Sequence, residues 1–375
     1  GDPSDASTED FPDANWRTLQ LPHDWSIEGA FSEKNPATVG GGALPGGIGW
    51  YRKSFSVPEP EQGKNVYIDF DGVYCNSEVW INGHHLGLRP NGYISFRYNL
   101  TPYLKPGDEK NVIAVRVDNS HQPNSRWYSG SGIFRNVWLV TTNDIHIDHW
   151  GTYITTPEIT DRSAAVNLSI QIRSAKGADE PVDISTIILN GAGKEVTRSE
   201  IKLGEFHDSL MNLSMHFSVA DPELWSVDHP YLYQAVTKIV MGGQTVDEYA
   251  TPFGIRYFAF DPDNGFSLNG KEMKINGVCD HHDLGCLGAA VNKAAIRRQL
   301  VMLKDMGCNA IRTSHNPPAP ELLDLCDEMG FLVMDEAFDM WKKQKTPSDY
   351  HLAWDAWHRK DLEAQVRSEE RRVGK

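Results

Sequence analysis

Through the first 256 residues, apolar positions recur with a period of two in short runs. In VYIDF, Val66, Ile68 and Phe70 alternate with polar residues, the mark of a half-buried strand. Glu78–Ile81 runs into Asn82-Gly83, a strong hairpin turn before His84. Asn111–Asp118 alternates cleanly, and Val137–Val140 closes the set. An all-β sandwich of jelly-roll type fits residues 1–142. The stretch GGGALPGGIGW (Gly40–Trp50) lacks the strand–loop–helix context and the Lys-Ser/Thr ending of a phosphate cradle, and is read as a flexible surface loop. A second set of strands, Ala165–Ile172, Val182–Leu189, Leu213–Val219 and Tyr233–Val240, predicts an immunoglobulin-like sandwich over residues 143–256. Asp221–Tyr233 is a turn-rich edge, where His229 before Pro230 is read as structural.

From about Phe258 the period lengthens. Phe266–Val278 predicts a hairpin feeding a first strand. A helix follows over Asn292–Met306, with Ile296, Leu300, Leu303 and Met306 on its apolar face and Gly307 as its stop. Ala310–Thr313 is a second strand, Pro320–Met329 a second helix ended by Gly330, and Phe331–Met334 a third strand. Strands joined by helices favour a right-handed parallel arrangement. Residues 257–366 therefore predict the first units of a (β/α)₈ barrel, closing on the helix-like run Trp354–Val366.

Each predicted strand ends in a polar cluster. Asp280, His281, His282 and Asp283 follow the first, Ser314, His315 and Asn316 the second, and Asp335, Glu336 and Asp339 the third. In a barrel these ends share the face that carries active sites. His281 and His282 are adjacent and diverge on an extended backbone, so the His-x-His geometry of barrel metal hydrolases is missing. Carboxylates and carbonyls remain plentiful enough for a structural magnesium or calcium ion. Asp335 and Glu336 diverge too, and are poor candidates for the facing acid and nucleophile of a glycosidase, which stand about 5–5.5 Å apart. Asp335 is read as a hydrogen-bonding strut and Glu336 as a ligand contact.

Composition narrows the partners. The 375 residues allow two or three domains. The formal net charge of −15 argues against nucleic acid and acidic membrane surfaces. No run approaches the roughly 20 apolar residues of a membrane span. The 11 Trp, 13 Tyr and 14 Phe suit sugar sites but equally fill cores. Five cysteines, Cys75, Cys279, Cys286, Cys308 and Cys326, are odd in number with no CxxC pair, and are read as buried thiols. The chain begins GDPSDASTED without Met, read as a processed or truncated start; a periplasmic or secreted location is suspected, with the compartment open.

RTSHNPP (Arg312–Pro318) followed by LLDLCDEMGFLVMDEAFDMW (Leu322–Trp341) resembles glycoside hydrolase family 2. Upstream, LPHDW (Leu21–Trp25), GWYRKSF (Gly49–Phe55), VWINGHHLG (Val79–Gly87), GYISFRYNLTPYL (Gly92–Leu104) and RWYSGSGIFRNVWL (Arg126–Leu139) fit its N-terminal sugar-binding domain. GVCDHHDLGCLGAAV (Gly277–Val291) is similar to the β-galactosidase branch. The resemblance implies a jelly roll, an immunoglobulin-like sandwich and a (β/α)₈ barrel. It implies a retaining mechanism with one Glu as acid/base and a second as nucleophile, and no required cofactor. His281 and His315 are then expected to bind the non-reducing sugar of a glycoside or oligosaccharide, with Asn316, Asp335 and Glu336 completing the floor of the site.

Departures matter as much. Where well-known members carry an Asp that reaches into the sugar pocket, this chain has Arg126, which contacts a sugar or pairs with an acid. FDMW follows DEA where some β-galactosidases place magnesium ligands, so that site is not carried over. The acid/base Glu of the family follows an Asn, and no Asn-Glu dipeptide occurs here. About three β/α units are present, whereas a whole barrel takes roughly 200 residues or more. The expectation is an N-terminal fragment, inactive alone, of an exo-acting β-galactosidase, with a homo-oligomer left open at full length. β-Glucuronidase, β-mannosidase and a non-catalytic carbohydrate-binding protein are the alternatives. Arg367–Lys375 (RSEERRVGK) is also what a common sequencing-adaptor string encodes, and is read as a non-native tail without function.

Overall fold

The alternating runs become two stacked sheets in the first part of the computed structural model, which describes residues 1–58, 61 and 63–370. Seven strands build them: β1 (Gly47–Phe55), β2 (Asn65–Phe70), β3 (Ser77–Ile81), β4 (His84–Arg89), β5 (Phe96–Asn99), β6 (Asn111–Asn119) and β7 (Val137–Thr142). One sheet runs β1-β6-β3-β4 and the other β5-β2-β7, all antiparallel. Val66, Ile68 and Phe70 point into the core between them, against Val79, Ile81 and Val115. Asn82 and Gly83 both take positive φ, 49° and 78°, as the predicted hairpin turn requires.

The glycine-rich stretch is a correction. Gly47–Trp50 is the start of β1, paired in register from Gly47↔Asn119 to Trp50↔Arg116. Its glycines serve close approach: a Cβ on Gly49 would fall 2.7 Å from the Trp25 ring. Without side chains to alternate, the segment shows no strand period in sequence.

The second sandwich comprises β8 (His146–Thr155), β9 (Ser163–Arg173), β10 (Ala178–Leu189), β11 (Glu195–Phe206), β12 (Leu210–Ala220), β13 (Tyr233–Met241) and β14 (Gln244–Phe253). Its sheets run β11-β10-β13-β14 and β12-β9-β8. The four predicted strands lie within β9, β10, β12 and β13. The three that were missed, β8, β11 and β14, are all sheet edges. Edge strands carry more polar residues and bulges, such as the shift between Ile147 and Thr152 in β8.

A hairpin, β15 (Phe258–Asp261), β16 (Gly265–Leu268) and β17 (Lys271–Glu272), leads into β18 (Gly277–Asp280), β19 (Ala310–Thr313) and β20 (Leu332–Met334). These last three pair in parallel in that order, as the first strands of a TIM barrel. Helix α1 (Lys293–Asp305) starts at Asn292, whose side chain accepts from Ala295 N at 3.0 Å. Its Ile296 and Leu300 pack with Ile311 and with Leu325 and Cys326 of α2 (Pro320–Met329). Met306 does not join that face. It stands past the last helical residue and is 73 % exposed. Gly330 ends α2 at φ 75°, and a Cβ there would meet Val227 O at 2.3 Å, so the second sandwich docks directly on the helix end. Trp225, donating from Nε1 to Asp327 O at 2.8 Å, and Lys304, donating to Val227 O and Gly330 O, reinforce that docking. His229 lies at the surface beside Glu223, away from the barrel strand ends. Helix α3 (Trp354–Glu370) continues through Arg367–Glu370, while residues 371–375 of the expected tail lie outside the described residues.

The jelly roll holds the barrel through two buried charges. Arg135, 1 % exposed, donates to Tyr93 O (2.9 Å) within the jelly roll and to Pro317 O (2.8 Å) and Pro318 O (3.0 Å) after β19. Asp24 accepts from Ser26 N (3.0 Å), Ser131 N (2.9 Å) and Tyr128 Oη (2.5 Å) on its own side, and from Ala289 N (2.9 Å) across the seam. None of the five cysteines forms a disulfide; Cys75 and Cys326 are buried as expected, but Cys279 and Cys286 are exposed. Cys279 projects from an inward position of β18, where a barrel strand meets no helix. Among the described residues no helix is long and apolar enough to cross a membrane.

Two outcomes follow from the seam. Arg135→Met leaves several buried carbonyls without their donor and is expected to cost roughly 3–5 kcal/mol, read as a lower urea midpoint. Asp71, whose Oδ2 accepts from Trp138 Nε1, is held up to about 6 by burial, with Glu321 nearby adding to the shift. Its contribution is present below about pH 4 and lost as pH rises through 6. Asp71→Asn should therefore be more stable than the parent at pH 7, with the gap closing at pH 4 in parallel melts.

Candidate active site

The parallel pairing of β18, β19 and β20 puts the three polar clusters on one face, but the side chains divide sharply. His281 and His282 diverge as adjacent residues must. His282 turns into the jelly roll, packing against Tyr93 and Phe134 with Nε2 3.1 Å from Ser129 O. Desolvation there pulls its pKa down to about 4, so it is a neutral strut. His281 turns the other way and meets His315 edge to face, ring centroids 5.6 Å apart at 87°. Burial, then His315, lowers the His281 pKa, favouring the neutral ring.

Over both rings lies Trp127, 5.4 Å from His281 and 5.5 Å from His315. This indole is 8 % exposed and donates from Nε1 to Tyr93 Oη at 3.2 Å. It comes from the jelly roll, in the motif RWYSGSG, and is not among the site residues expected from sequence. Its place with Tyr128 in the otherwise small and polar run NSRWYSGSG was the available signal.

His315 is fixed from behind. Its Nδ1 lies 3.0 Å from both Arg312 Nη2 and Glu336 Oε2, and Arg312 Nε donates to Glu336 Oε1 at 2.6 Å. The guanidinium can only donate and the carboxylate only accept, so Nδ1 serves one of them at a time. In either case Nε2 points away from this pair. Glu336 is thus an internal partner of Arg312 and His315. Arg312, an inward residue of β19, was also missed; it further donates to Cys279 Sγ at 3.3 Å and holds that thiol below its usual range.

Asp335 takes the strut position foreseen for it, with Oδ1 3.4 Å from Thr313 Oγ1 and Oδ2 accepting from Gln365 Nε2 at 2.8 Å. Asn316 stands beside His315, and its Nδ2, like His281 Nδ1, is buried with no hydrogen-bond partner among the described residues. Arg126 resolves toward an acid: Nη2 lies 2.9 and 3.1 Å from the two carboxylate oxygens of Asp339, which also accepts from Lys345 Nζ at 2.8 Å. Asp280, half-buried near Asp283, is raised to about 6 by desolvation. A cavity of about 340 Å³ opens between Trp127, Asn316, Asp339, Phe338 and Tyr350. Among the described residues no group of three or more His, Cys, Asp or Glu could hold a metal ion.

Two neighbouring imidazoles, a buried amide and an indole face form a floor suited to a polar ring with apolar C–H faces. Known proteins share this arrangement of domains. The sugar binding domain of glycosyl hydrolases family 2 matches residues 16–143, the family's next domain residues 145–256, and its TIM barrel domain residues 262–364. The beta-galactosidase BoGH2A of Bacteroides ovatus is 56% identical over 362 residues, covering 96% of this chain and 42% of that enzyme. A beta-glucuronidase of Formosa agariphila is 30% identical, covering 88% of this chain and 36% of its own length. A crystal structure of a glycosyl hydrolase family 2 member from Bacteroides cellulosilyticus superposes with a TM-score of 0.96 at 38% identity, covering all of this chain and 50% of that one. The chain thus spans half or less of each of these relatives. With three successive domains matched in order, the chain belongs to glycosyl hydrolases family 2.

Proposed function

We propose that this chain is the N-terminal part of a retaining exo-β-glycosidase, a β-galactosidase that removes terminal β-linked galactose. The observation that carries this reading is the meeting of His281, His315 and Trp127, three rings drawn from two domains. His281 Nδ1 and Asn316 Nδ2, buried and unpartnered among the described residues, are the groups that gain most from a sugar hydroxyl. Arg312 and Glu336 orient the His315 ring so that Nε2 faces the sugar.

The working pair of glutamates is assigned to the part of the protein that these 375 residues do not include. No Asn-Glu dipeptide occurs in the chain, and Asp335 and Glu336 are both committed to internal partners. The chain supplies one wall of the site: it binds and orients the non-reducing sugar, while the acid/base and nucleophile act from later barrel strands. The identity to a beta-galactosidase of Bacteroides ovatus supports galactose. A β-glucuronidase is the second reading, favoured by the exposed cations Arg126 and Lys345 at the rim and by the Formosa agariphila relative.

The 375-residue chain alone should give no turnover of aryl β-galactosides; clear hydrolysis would refute the assignment of the glutamates. In the protein extended to the length of its relatives, aryl β-galactosides should be cleaved well ahead of β-glucuronides, and the reverse order would select the second reading. In that same protein His281→Ala and His315→Ala should each lower kcat/KM by about 100-fold, as expected for one lost transition-state donor. Losses under about threefold would remove these residues from the sugar site.

A further inference from the structure

The loop between β20 and α3 leads from the floor of the site to open solvent. Its Phe338, Asp339 and Met340 line the cavity of about 340 Å³ together with Trp127 and Asn316. Trp341 follows directly, does not line that cavity and is 64 % exposed, so it stands at the outer edge.

Trp341 is held there as a platform. Its ring stacks on Trp354, centroids 5.5 Å apart at 15°, and Trp354 stacks on His358 at 4.7 Å and 7°. Phe338 meets Trp354 edge to face at 5.3 Å, and His358 Nδ1 lies 2.6 Å from Trp354 O, so the middle of the column is fixed. An indole braced on one face and open on the other is already ordered before a ligand arrives. Such a face matches the apolar C–H side of a pyranose ring.

The charge around this platform runs against that of the whole chain. The formal net charge is −15, yet Lys342, Lys343 and Lys345 stand almost consecutively, and Arg126 joins them from the jelly roll. Asp339 is shared by Arg126 and Lys345, and Asp355 serves Lys342 at 3.3 Å. Asp349 is buried and spent on Lys345 N, Thr346 N and His351. Exposed Lys343 has no acid partner among the described residues. Four cations thus stand against three carboxylates, and Lys343 is the one left over. On a surface that otherwise repels anions, a local positive excess draws them to this point. A neutral sugar ring needs no such charge. The charge of Asp339 acts on His281 on one side, and Asp339 pairs with Lys345 on the other. The lysines therefore flank the ring next to the terminal sugar rather than the terminal sugar itself.

We infer that Trp341 and Lys343 form the leaving-group side of the pocket, and that it takes an acidic pyranose. A ring bearing a carboxylate or a sulfate ester stacks on Trp341 with its anionic group toward Lys343. This rests on the β-galactosidase reading and adds the chemical class of the sugar from which galactose is removed.

The test uses the protein extended to the length of its relatives. The substrates are disaccharides with β-galactose on O2, O3 or O4 of glucose, glucuronate or glucose 6-sulfate, and methyl β-galactoside, which has no second ring. In the linkage cleaved fastest, at least one acidic disaccharide should exceed its neutral parent about fivefold in kcat/KM, and about 0.5 M sodium chloride should narrow that gap. Comparing glucuronate with the sulfate tells which anion the site takes. Trp341→Ala should lower kcat/KM on the disaccharides about tenfold. Lys343→Gln should lower it on the acidic ones alone, about threefold. Both variants should cleave methyl β-galactoside within about twofold of the parent. Circular dichroism melts accompany each variant, and Lys343→Gln, an exposed change, carries the test should Trp341→Ala unfold. Failure to cleave methyl β-galactoside refutes the galactosidase reading and the site with it. Cleavage of that substrate without an advantage for either acidic disaccharide overturns the leaving-group site alone. So does parental activity of both variants on every disaccharide, or cleavage of methyl β-galactoside with none of the disaccharides attacked.

Discussion

A single buried guanidinium sets how the barrel face is presented. Arg135 lies in a nearly apolar seam, its charge over the Phe134 ring at 5.0 Å, and desolvation draws its pKa down to about 10. A charge in such a place is tolerable only if most of its donors are satisfied. Here the two Nη groups are satisfied by carbonyls from both sides, Asp71 and Tyr93 in the jelly roll and Pro317 and Pro318 in the loop after β19, while Nε has no hydrogen-bond partner among the described residues. The loop that carries His315 and Asn316 is therefore held by the same group that closes the jelly-roll core. Moving the loop would leave a buried arginine without two of its acceptors.

The neighbouring residues extend this logic to all three strand ends. Phe134 O accepts from Val291 N at 2.8 Å, and Ser129 O meets His282, so the first loop is tied down twice. Arg135 holds the second loop, and Arg126 pairs with Asp339 in the third. One segment of the jelly roll, residues 126–136, thus touches every polar cluster of the barrel region. That segment also supplies Trp127 to the rings of His281 and His315. The site is shared between domains because its scaffold is shared.

Much of this was legible in the sequence. Period-two runs located the central strands and two edges, β7 and β12, and the stops at Gly307 and Gly330 bounded α1 and α2. Adjacency alone implied that His281 and His282 part company, and that Asp335 and Glu336 do too. Edge strands β8, β11 and β14 were not legible, since an edge has only one partner and tolerates polar residues on both faces. The glycine run was misread for a related reason: Gly47 and Gly49 are in a strand because Asn119 and Val117 pair with them, and that partner is about 70 residues away in sequence.

The sequence by itself determined the order of the domains, the three barrel strands and the chemistry gathered at their ends, because periodicity and strand-end position are local properties of the chain. Only the tertiary structure decided which of those polar residues act together. It turned His282 into a buried strut and His281 toward His315. It committed Glu336 to Arg312 and Arg126 to Asp339, and it brought Trp127 over both histidines. These choices depend on pairings between strand ends and across the seam between jelly roll and barrel, 213 residues apart for Arg126 and Asp339. The direction a side chain takes there is set by which partner can satisfy it once water is excluded, and local sequence carries no record of that.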